Sequence, residues 1–180
     1  MRSLLFWLLV AATGAVYAAM AVWSLPRISD AAGGLMPFDL RPFGYTETEA
    51  REFMRRLSDE GRAFYLTVQH RLDLAFPALL AAMLAWTAFR LPPPGWRAVR
   101  WVLVIAAIGG MGADYVENHA VAAMLALPPD AVTPDQIATS SRWTVLKSLG
   151  ATVSMSLGVV LLARAVIARL TTQKSMDTPS

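Results

Sequence analysis

Two carboxylates interrupt an otherwise apolar stretch of the chain, GGMGADYVENHAVAAML at residues 109–125. At about 100° per residue, Asp114, Glu117 and Asn118 share one face of a helix. His119 points away from that face. A carboxylate that can hold or release a proton beside a cation is suited to general acid–base chemistry. The pattern predicts a site in which Glu117 or Asp114 handles the proton.

A cation for such a site is present in another apolar stretch, at Lys147 of the segment SRWTVLK. Counting about 20 residues from the arginines that flank each apolar stretch places Lys147 at the same depth as Asp114 and Glu117. We therefore predict that these three residues form a catalytic centre, with Lys147 polarising a bound group. The remaining members of the predicted polar layer, which bind a ligand or form ion pairs, are Gln69, His70, Asp73, Asn118, Ser141, Arg142 and Thr144.

Pro77 adds a backbone acceptor to this layer. A proline cannot donate a hydrogen bond to the carbonyl four residues earlier, which here is the carbonyl of Asp73. Gln69, Asp73 and Pro77 share one face of their helix. A free carbonyl is tolerated within hydrocarbon only where protein, water or a ligand satisfies it, so we expect a partner at this position.

The same charges also fit a purely structural role. At this depth three acids are balanced by three bases, namely Asp73, Asp114 and Glu117 against Arg71, Arg142 and Lys147. In this role Asp114 pairs with Lys147, and Arg142 pairs with Glu117 or Asp73. Each intramembrane charge costs at least about 2.5–3.5 kcal/mol, which favours a functional site over helix joining alone. Ion or proton translocation is a third hypothesis, disfavoured because the inner half of every helix lacks titratable groups.

Metal and cofactor motifs are weak in this sequence. His70 and Asp73 offer metal donors together with Asp114 and Glu117. However, the chain has neither a His-x-x-x-His nor a Glu-x-x-His pair, and Lys147 competes for the carboxylates. The chain has no cysteine, which excludes thiol redox chemistry, and no glycine-rich nucleotide loop. We predict neither a metal nor a cofactor.

Four long apolar stretches must position these residues. Of the 180 residues, 56% are hydrophobic and 16% are charged, a balance typical of membrane proteins rather than soluble domains. Each stretch has the roughly 20 residues that cross a hydrocarbon layer of about 30 Å. We predict an all-α, four-helix transmembrane bundle in a single domain, 1–180, with helices at about 4–25, 66–89, 99–127 and 143–168 and a C-terminal tail at 171–180.

The charges of the short loops predict the orientation. Residues 90–100 hold three arginines and no acid, and the C-terminal segment adds Arg164, Arg169 and Lys174. Cytoplasmic loops carry such an excess, so both termini are predicted to lie in the cytoplasm and the polar layer in the outer third of the bilayer. The net charge of +3 is then a topology signal, and nucleic-acid binding is not expected. Val16 and Ala18 also fit a signal cleavage site, but the long apolar run favours an uncleaved helix.

The first loop, residues 26–65, is long enough to cover the outer end of the bundle. A short amphipathic helix is predicted within it at about residues 47–60. Thr46 and Glu49 form a capping box at its start, and Gly61 ends it. This helix either caps the bundle or acts as a movable lid over the polar layer.

Small residues at four-residue spacing predict close helix packing. They are Gly150, Ser154 and Gly158 in the fourth stretch, Gly109 and Ala113 in the third, and Gly14 and Ala18 in the first. Such residues let two helix backbones approach closely. Three of the four helices can therefore associate in this way, independently of the charges.

Four motifs distinguish the chain: Pro-Phe-Asp with Arg-Pro-x-Gly-Tyr at 37–45, Leu-Asp-x-x-Phe-Pro at 72–77, Asp-x-x-Glu-Asn at 114–118 and Ser-x-x-Thr-x-x-Lys at 141–147. In these motifs it resembles a group of uncharacterised bacterial four-helix membrane proteins. The resemblance covers nearly the whole chain. It implies a four-helix fold and a location in the bacterial inner membrane, and it implies no activity.

Two hypotheses follow for the function. In the first, a pocket open to the outer leaflet binds a lipid-like or small amphipathic molecule, with acid–base chemistry by Glu117 or Asp114 and a polarising Lys147. In the second, the charges only join the helices of a structural or assembly protein. Membrane lipid is the predicted partner in both, and the oligomeric state is left open.

Overall fold

The computed structural model describes residues 2–176, and within that range the chain is helical and contains no strand. The helices are α1 (Arg2–Ala18), α2 (Leu25–Ala31), α3 (Glu47–Arg56), α4 (Asp59–Phe64), α5 (His70–Arg90), α6 (Arg97–Leu125) and α7 (Pro134–Met176). Two π-helical turns, Ala19–Ser24 and Tyr65–Gln69, join α1 to α2 and α4 to α5, and a 3-10 turn lies at Phe38–Leu40. The all-α prediction is confirmed for the described residues.

Four segments are long and apolar enough to cross a membrane, as the sequence predicts. They are Leu4–Ala31, Asp59–Arg90, Arg97–Leu125 and Pro134–Ala168. The first, second and fourth extend beyond the predicted apolar stretches, because backbone hydrogen bonds continue a helix after its side chains become polar. The predicted tail at 171–180 is helical as far as Met176, and residues 177–180 lie outside the described range.

The helix predicted at 47–60 is divided into two. α3 ends at Arg56, and Ser58 caps α4 by accepting a hydrogen bond from the Gly61 N–H at 3.1 Å. Gly61 therefore lies inside α4 instead of ending a helix. A Cβ at this position would lie 2.5 Å from the Ala31 Cβ, so glycine lets α2 and α4 approach each other.

The helices α5, α6 and α7 pack against one another, whereas α1 packs against α5. α6 and α7 approach closely at Gly110 and Gly150, where a Cβ added to Gly150 would lie 2.7 Å from the Gly110 Cα. The small-residue spacing in the sequence predicts that Gly109 makes the close helix contact, but an added Cβ at Gly109 meets nothing within 4 Å. An added Cβ at Gly14, predicted to do the same in α1, also meets nothing within 4 Å. One residue corresponds to about 100° of rotation, so only Gly110 faces α7.

Two apolar cores lie on either side of the polar residues. The loop-side core includes the buried side chains of Ile28, Phe38, Phe53, Tyr65, Met124 and Ile137. The basic-end core, near the turn at residues 90–100, includes Leu84, Ala88, Leu103 and Leu161. Along α5, α6 and α7 the predicted polar residues fall between these two cores, so packed side chains enclose them at both ends.

Candidate functional site

Lys147 of α7 is the centre of a buried ion cluster. Its Nζ lies 2.8 Å from Glu117 Oε2, 3.5 Å from Asp39 Oδ1 and 3.6 Å from Asp114 Oδ1. The Glu117 side chain is fully buried. Because an ammonium has three N–H donors, this one cation connects α6, α7 and the loop through three carboxylates.

Glu117 is held by α7 through both of its carboxylate oxygens. Oε2 accepts from Lys147, and Oε1 accepts a hydrogen bond from Thr144 Oγ1 at 2.8 Å. Thr144 and Lys147 are three residues apart, so they share one helix face, as the sequence predicts. The close backbone approach at Gly110 and Gly150 brings α6 near enough to α7 for these short contacts.

Asp39 is a member of this site that helical periodicity does not predict. It lies on the 3-10 turn, where its Oδ2 accepts a hydrogen bond from the Tyr65 hydroxyl at 2.6 Å. Its side chain is only 6% exposed. Counting residues from the flanking arginines gives a membrane depth for residues in helices, but it gives none for a residue in a loop. The signal that the sequence does contain is an acid directly after Phe38, in a loop ordered by two Pro-Phe steps.

A second group of polar side chains begins on the π-helical turns. Ser24 Oγ donates to Gln69 Oε1 at 2.5 Å, and Gln69 Nε2 donates to Asp73 Oδ1 at 2.8 Å. All three side chains are buried. A π-helical turn contains an extra residue and changes the helical phase of the residues that follow. This change is not visible in the sequence, and Ser24 is therefore missing from the predicted layer.

Asn118 provides the partner expected for the backbone carbonyl that Pro77 leaves free. Its Nδ2 donates to the carbonyl oxygen of Asp73 at 3.1 Å. The Tyr115 hydroxyl donates to the next carbonyl, that of Leu74, at 3.0 Å. α6 thus supplies a donor to the Asp73 carbonyl, which Pro77 leaves without its helical donor, and a further donor to the Leu74 carbonyl.

Asn118→Leu is expected to lower the free energy of unfolding by about 1–3 kcal/mol, because the buried Asp73 carbonyl loses its donor. In a Pro77→Ala background the same change should cost clearly less, since alanine restores an N–H that can bond this carbonyl. Equilibrium unfolding of the two single variants and the double variant measures the difference. Equal losses in both backgrounds would mean that the carbonyl has another donor.

A small cavity of about 10 Å³ separates the ion cluster from the Ser24–Gln69–Asp73 group. This volume corresponds to about one water molecule. The polar residues that line it are Asp39, Tyr65, His70, Asp73 and Asn118. His70 is half-buried and lies at this cavity, between the ion cluster and the Ser24–Gln69–Asp73 group. The polar layer predicted from the sequence therefore consists of these two neighbouring groups.

Arg142 lies outside the site, which differs from the expected ion pair. It is exposed, and among the described residues it forms no ion pair with Glu117 or Asp73. Arg142 precedes Lys147 by five residues, a rotation of about 140° around the helix axis. Arg142 and Lys147 lie at similar depth, but because they lie on different sides of α7, only Lys147 reaches Glu117.

Ser141 holds the loop against α7 and does not line the ion cluster. Its Oγ accepts a hydrogen bond from the Tyr45 N–H at 2.8 Å, and the Tyr45 hydroxyl donates to Ser140 Oγ at 2.7 Å. Burial raises the pKa of the Tyr45 hydroxyl well above its ordinary value, so the hydroxyl remains protonated and a donor even in alkaline solution. The loop that carries Asp39 is thus tied to the helix that carries Lys147.

A second cavity, of about 40 Å³, lies beside the ion cluster between α5, α6 and α7. Asp114 and Lys147 form its charged end, and apolar side chains such as Phe76, Leu80 and Leu84 line most of the rest. The volume admits a few water molecules and no lipid chain. A larger molecule enters only if the loop or a helix moves.

The site contains more acid than base. Asp39, Asp114 and Glu117 face the single ammonium of Lys147, and Asp73 lies across the small cavity. Buried charges need partners, so carboxylates in excess of the cation require shared protons or a further cation. Carboxylates beside an ammonium are the groups that general acid–base chemistry uses.

The metal ligands considered from the sequence do not converge. Among residues 2–176, no group of three or more His, Asp or Glu side chains has the arrangement of a metal site. Asp114 and Glu117 are directed at the Lys147 ammonium, whereas His70 lies at the small cavity. His119 is exposed on the opposite face of α6.

Comparisons with family models, with curated proteins and with solved structures find no match to this chain. The geometry of the ion cluster and its two cavities is therefore what informs the function.

Proposed function

We propose that this chain is a multi-pass integral membrane protein whose ion cluster binds and acts on a small amphipathic or lipid-like molecule. Four helices that are long and apolar enough to cross a bilayer support the membrane location. The large apolar side chains that α7 exposes support it as well, among them Leu149, Val159, Leu162 and Ile167. Lipid would cover these side chains, whereas in water they would form an extensive apolar surface.

The proposed orientation places both termini in the cytoplasm and the ion cluster in the outer third of the membrane. Arg90, Arg97 and Arg100 lie at the turn opposite the loop, and the Arg164 guanidinium lies 4.7 Å from the Trp96 ring at the same end. Arginines concentrate on the cytoplasmic side of membrane proteins. The motif resemblance suggests that this membrane is the bacterial inner membrane.

One observation carries the proposed activity: Lys147 and Asp114 form the charged end of a cavity whose other lining residues are apolar except for Ser154. An amphipathic molecule would place its polar group at Lys147 and its apolar part between α5, α6 and α7. Glu117 or Asp114 then exchanges a proton with that group while Lys147 polarises it.

Asp39 suggests how a ligand reaches Lys147. In the closed site Asp39 takes one N–H donor of the ammonium, at 3.5 Å compared with 2.8 Å for Glu117. If the loop moves away, this donor becomes available to an oxygen of the ligand. Asp39 would then act as an internal substitute for the ligand, and the loop would act as the cover.

Glu117→Gln is expected to leave the protein folded and to abolish retention or conversion of the ligand. Glutamine keeps the shape of the side chain and can accept from Thr144, but it cannot carry the proton. Native mass spectrometry of the detergent-extracted protein measures a bound amphipathic molecule in the wild type and in this variant. Asp135→Asn, which changes an exposed acid on α7, is the matched control. A wild type that carries no adduct in any mild detergent would contradict the proposal.

A structural role is the second candidate, and one observation favours it. Among the described residues, every buried side-chain nitrogen or oxygen has a hydrogen-bond partner. A cluster whose buried polar atoms all have hydrogen-bond partners can join α6, α7 and the loop without any ligand. In that case Glu117→Gln lowers the stability of the extracted protein, and any loss of function follows the loss of folded protein.

A further inference from the structure

Phe43 is a large apolar residue of the loop, and 94% of its surface is exposed. The residues around it are anchored. Phe38 is completely buried, and Tyr45 is buried and bonded to Ser140. The exposure of Phe43 is therefore a property of a held loop and does not result from loose attachment.

The backbone next to Phe43 is fixed by a turn that lies on α7. The Gly44 N–H donates to the Arg41 carbonyl at 2.8 Å, and Gly44 has a φ of +82°, which favours glycine. A Cβ at Gly44 would lie 2.5 Å from Ser141 Oγ and 3.2 Å from Val145 Cγ2. Gly44 thus lies directly against α7, and Phe43 is held beside it on the outside.

The apolar surface of the loop continues onto α7. Met36 and Leu40 are exposed and border the same surface groove as Phe43. Val145, which the loop touches, is exposed as well, and so is Leu149 one turn further along the helix. The exposed apolar side chains of the loop therefore adjoin those of α7, and Arg41, Glu49 and Glu52 also line the groove.

This surface lies where the proposed hydrocarbon layer ends. Counting about 20 residues outward from Arg164 reaches Thr144, at the level where the loop meets α7. Trp143 and Arg142 occupy the same helical turn, one half-buried and the other exposed. Tryptophan is enriched at the boundary of a bilayer, and arginine extends its charge to the headgroups there.

We propose that Phe43, with Met36 and Leu40, inserts into the outer lipid interface and thereby holds the loop closed over Lys147. This inference rests on the membrane location proposed above. Asp39 belongs to the same short loop, so lipid contact at Phe43 favours the closed contact between Asp39 and Lys147. The partner is the bilayer, because the loop surface continues onto a helix face that the bilayer covers.

The chain has no cysteine, so one introduced cysteine can carry an environment-sensitive nitrobenzoxadiazole label. The labelled variants are Phe43→Cys, Leu149→Cys on the apolar face of α7, and Thr48→Cys on the exposed face of α3. They are placed in vesicles of phosphatidylcholine and phosphatidylglycerol that contain nitroxide lipids. We expect a nitroxide at headgroup level to quench the label at residue 43, and we expect this label to be shielded from aqueous iodide. Nitroxides deeper in the bilayer should quench the label at residue 149. Iodide should quench the label at residue 48.

The outcomes separate this inference from the membrane location. If iodide quenches the labels at 43 and 48 equally while lipid quenches the label at 149, the lipid contact of the loop is overturned and the membrane location stands. If lipid quenches none of the three labels, the membrane location fails and this inference fails with it. A label at 43 that is shielded from both quenchers indicates a protein partner and also overturns the proposal.

The effect on the closed loop has its own measurement. In the same vesicles, Phe43→Ser should increase amide hydrogen exchange at residues 35–46 several-fold, whereas Phe43→Leu should leave it near the wild-type rate. Equal exchange in the wild type and in Phe43→Ser would show that lipid contact does not hold the loop closed.

Discussion

Replacing Lys147 by methionine is expected to lower the free energy of unfolding by about 3–5 kcal/mol, as for removal of one partner from a buried ion pair. Methionine occupies a similar volume and carries no charge. Asp39, Asp114 and Glu117 would then face one another without the ammonium that lies within 3.6 Å of all three. Unfolding by increasing dodecyl sulfate in mixed micelles, followed by helical circular dichroism, measures the change.

Arg142→Met is the matched control for this experiment, because it removes an exposed cation from the same helix. Its effect should stay within about 0.5 kcal/mol. Adding Glu117→Gln to Lys147→Met should recover part of the loss, since the most buried carboxylate can then no longer be charged. Similar losses for Lys147→Met and Arg142→Met would contradict the central position of Lys147.

Gly150→Ala is expected to lower the free energy of unfolding by about 1–3 kcal/mol, although it adds only one methyl group. The new Cβ would lie 2.7 Å from Gly110 Cα and 3.0 Å from Gly110 N, and backbone atoms cannot rotate away from it. α6 and α7 must therefore separate. Since these helices hold Glu117 and Lys147 at 2.8 Å, the substitution should also weaken that ion pair.

Gly109→Ala tests whether the effect comes from the helix contact. An added Cβ at Gly109 meets nothing within 4 Å, and alanine favours a helix over glycine by about 1 kcal/mol. We expect this variant to be as stable as the wild type or more stable. Thermal unfolding of both variants in the same detergent gives the comparison, and equal stability of the two would argue against the approach of α6 to α7 at Gly150.

Several features of this protein could be predicted because they depend on one helix at a time. A rise of about 1.5 Å per residue places Asp114, Glu117 and Lys147 at one level. A rotation of about 100° per residue separates Glu117 from His119, which is exposed. The position of Pro77 identifies a carbonyl that needs a donor before any neighbouring helix is considered.

The predictions that failed concern pairs of elements. Arg142 has the right depth for Glu117 but lies on the wrong side of α7. Gly109 has the right spacing for close packing, yet its neighbour Gly110 makes the contact. The rotation of one helix relative to another depends on how all the side chains in their interface pack together. The residue spacing within a single helix does not determine this rotation.

Asp39 shows the same limit most clearly. It reaches Lys147 only because the loop folds back over the bundle, with Phe38 and Tyr45 buried against distant parts of the chain. The types of the polar groups and their depth follow from the order of residues, because both are counted along a single helix. Their partners follow from packing, because a contact between two segments requires a relative position that neither segment encodes alone.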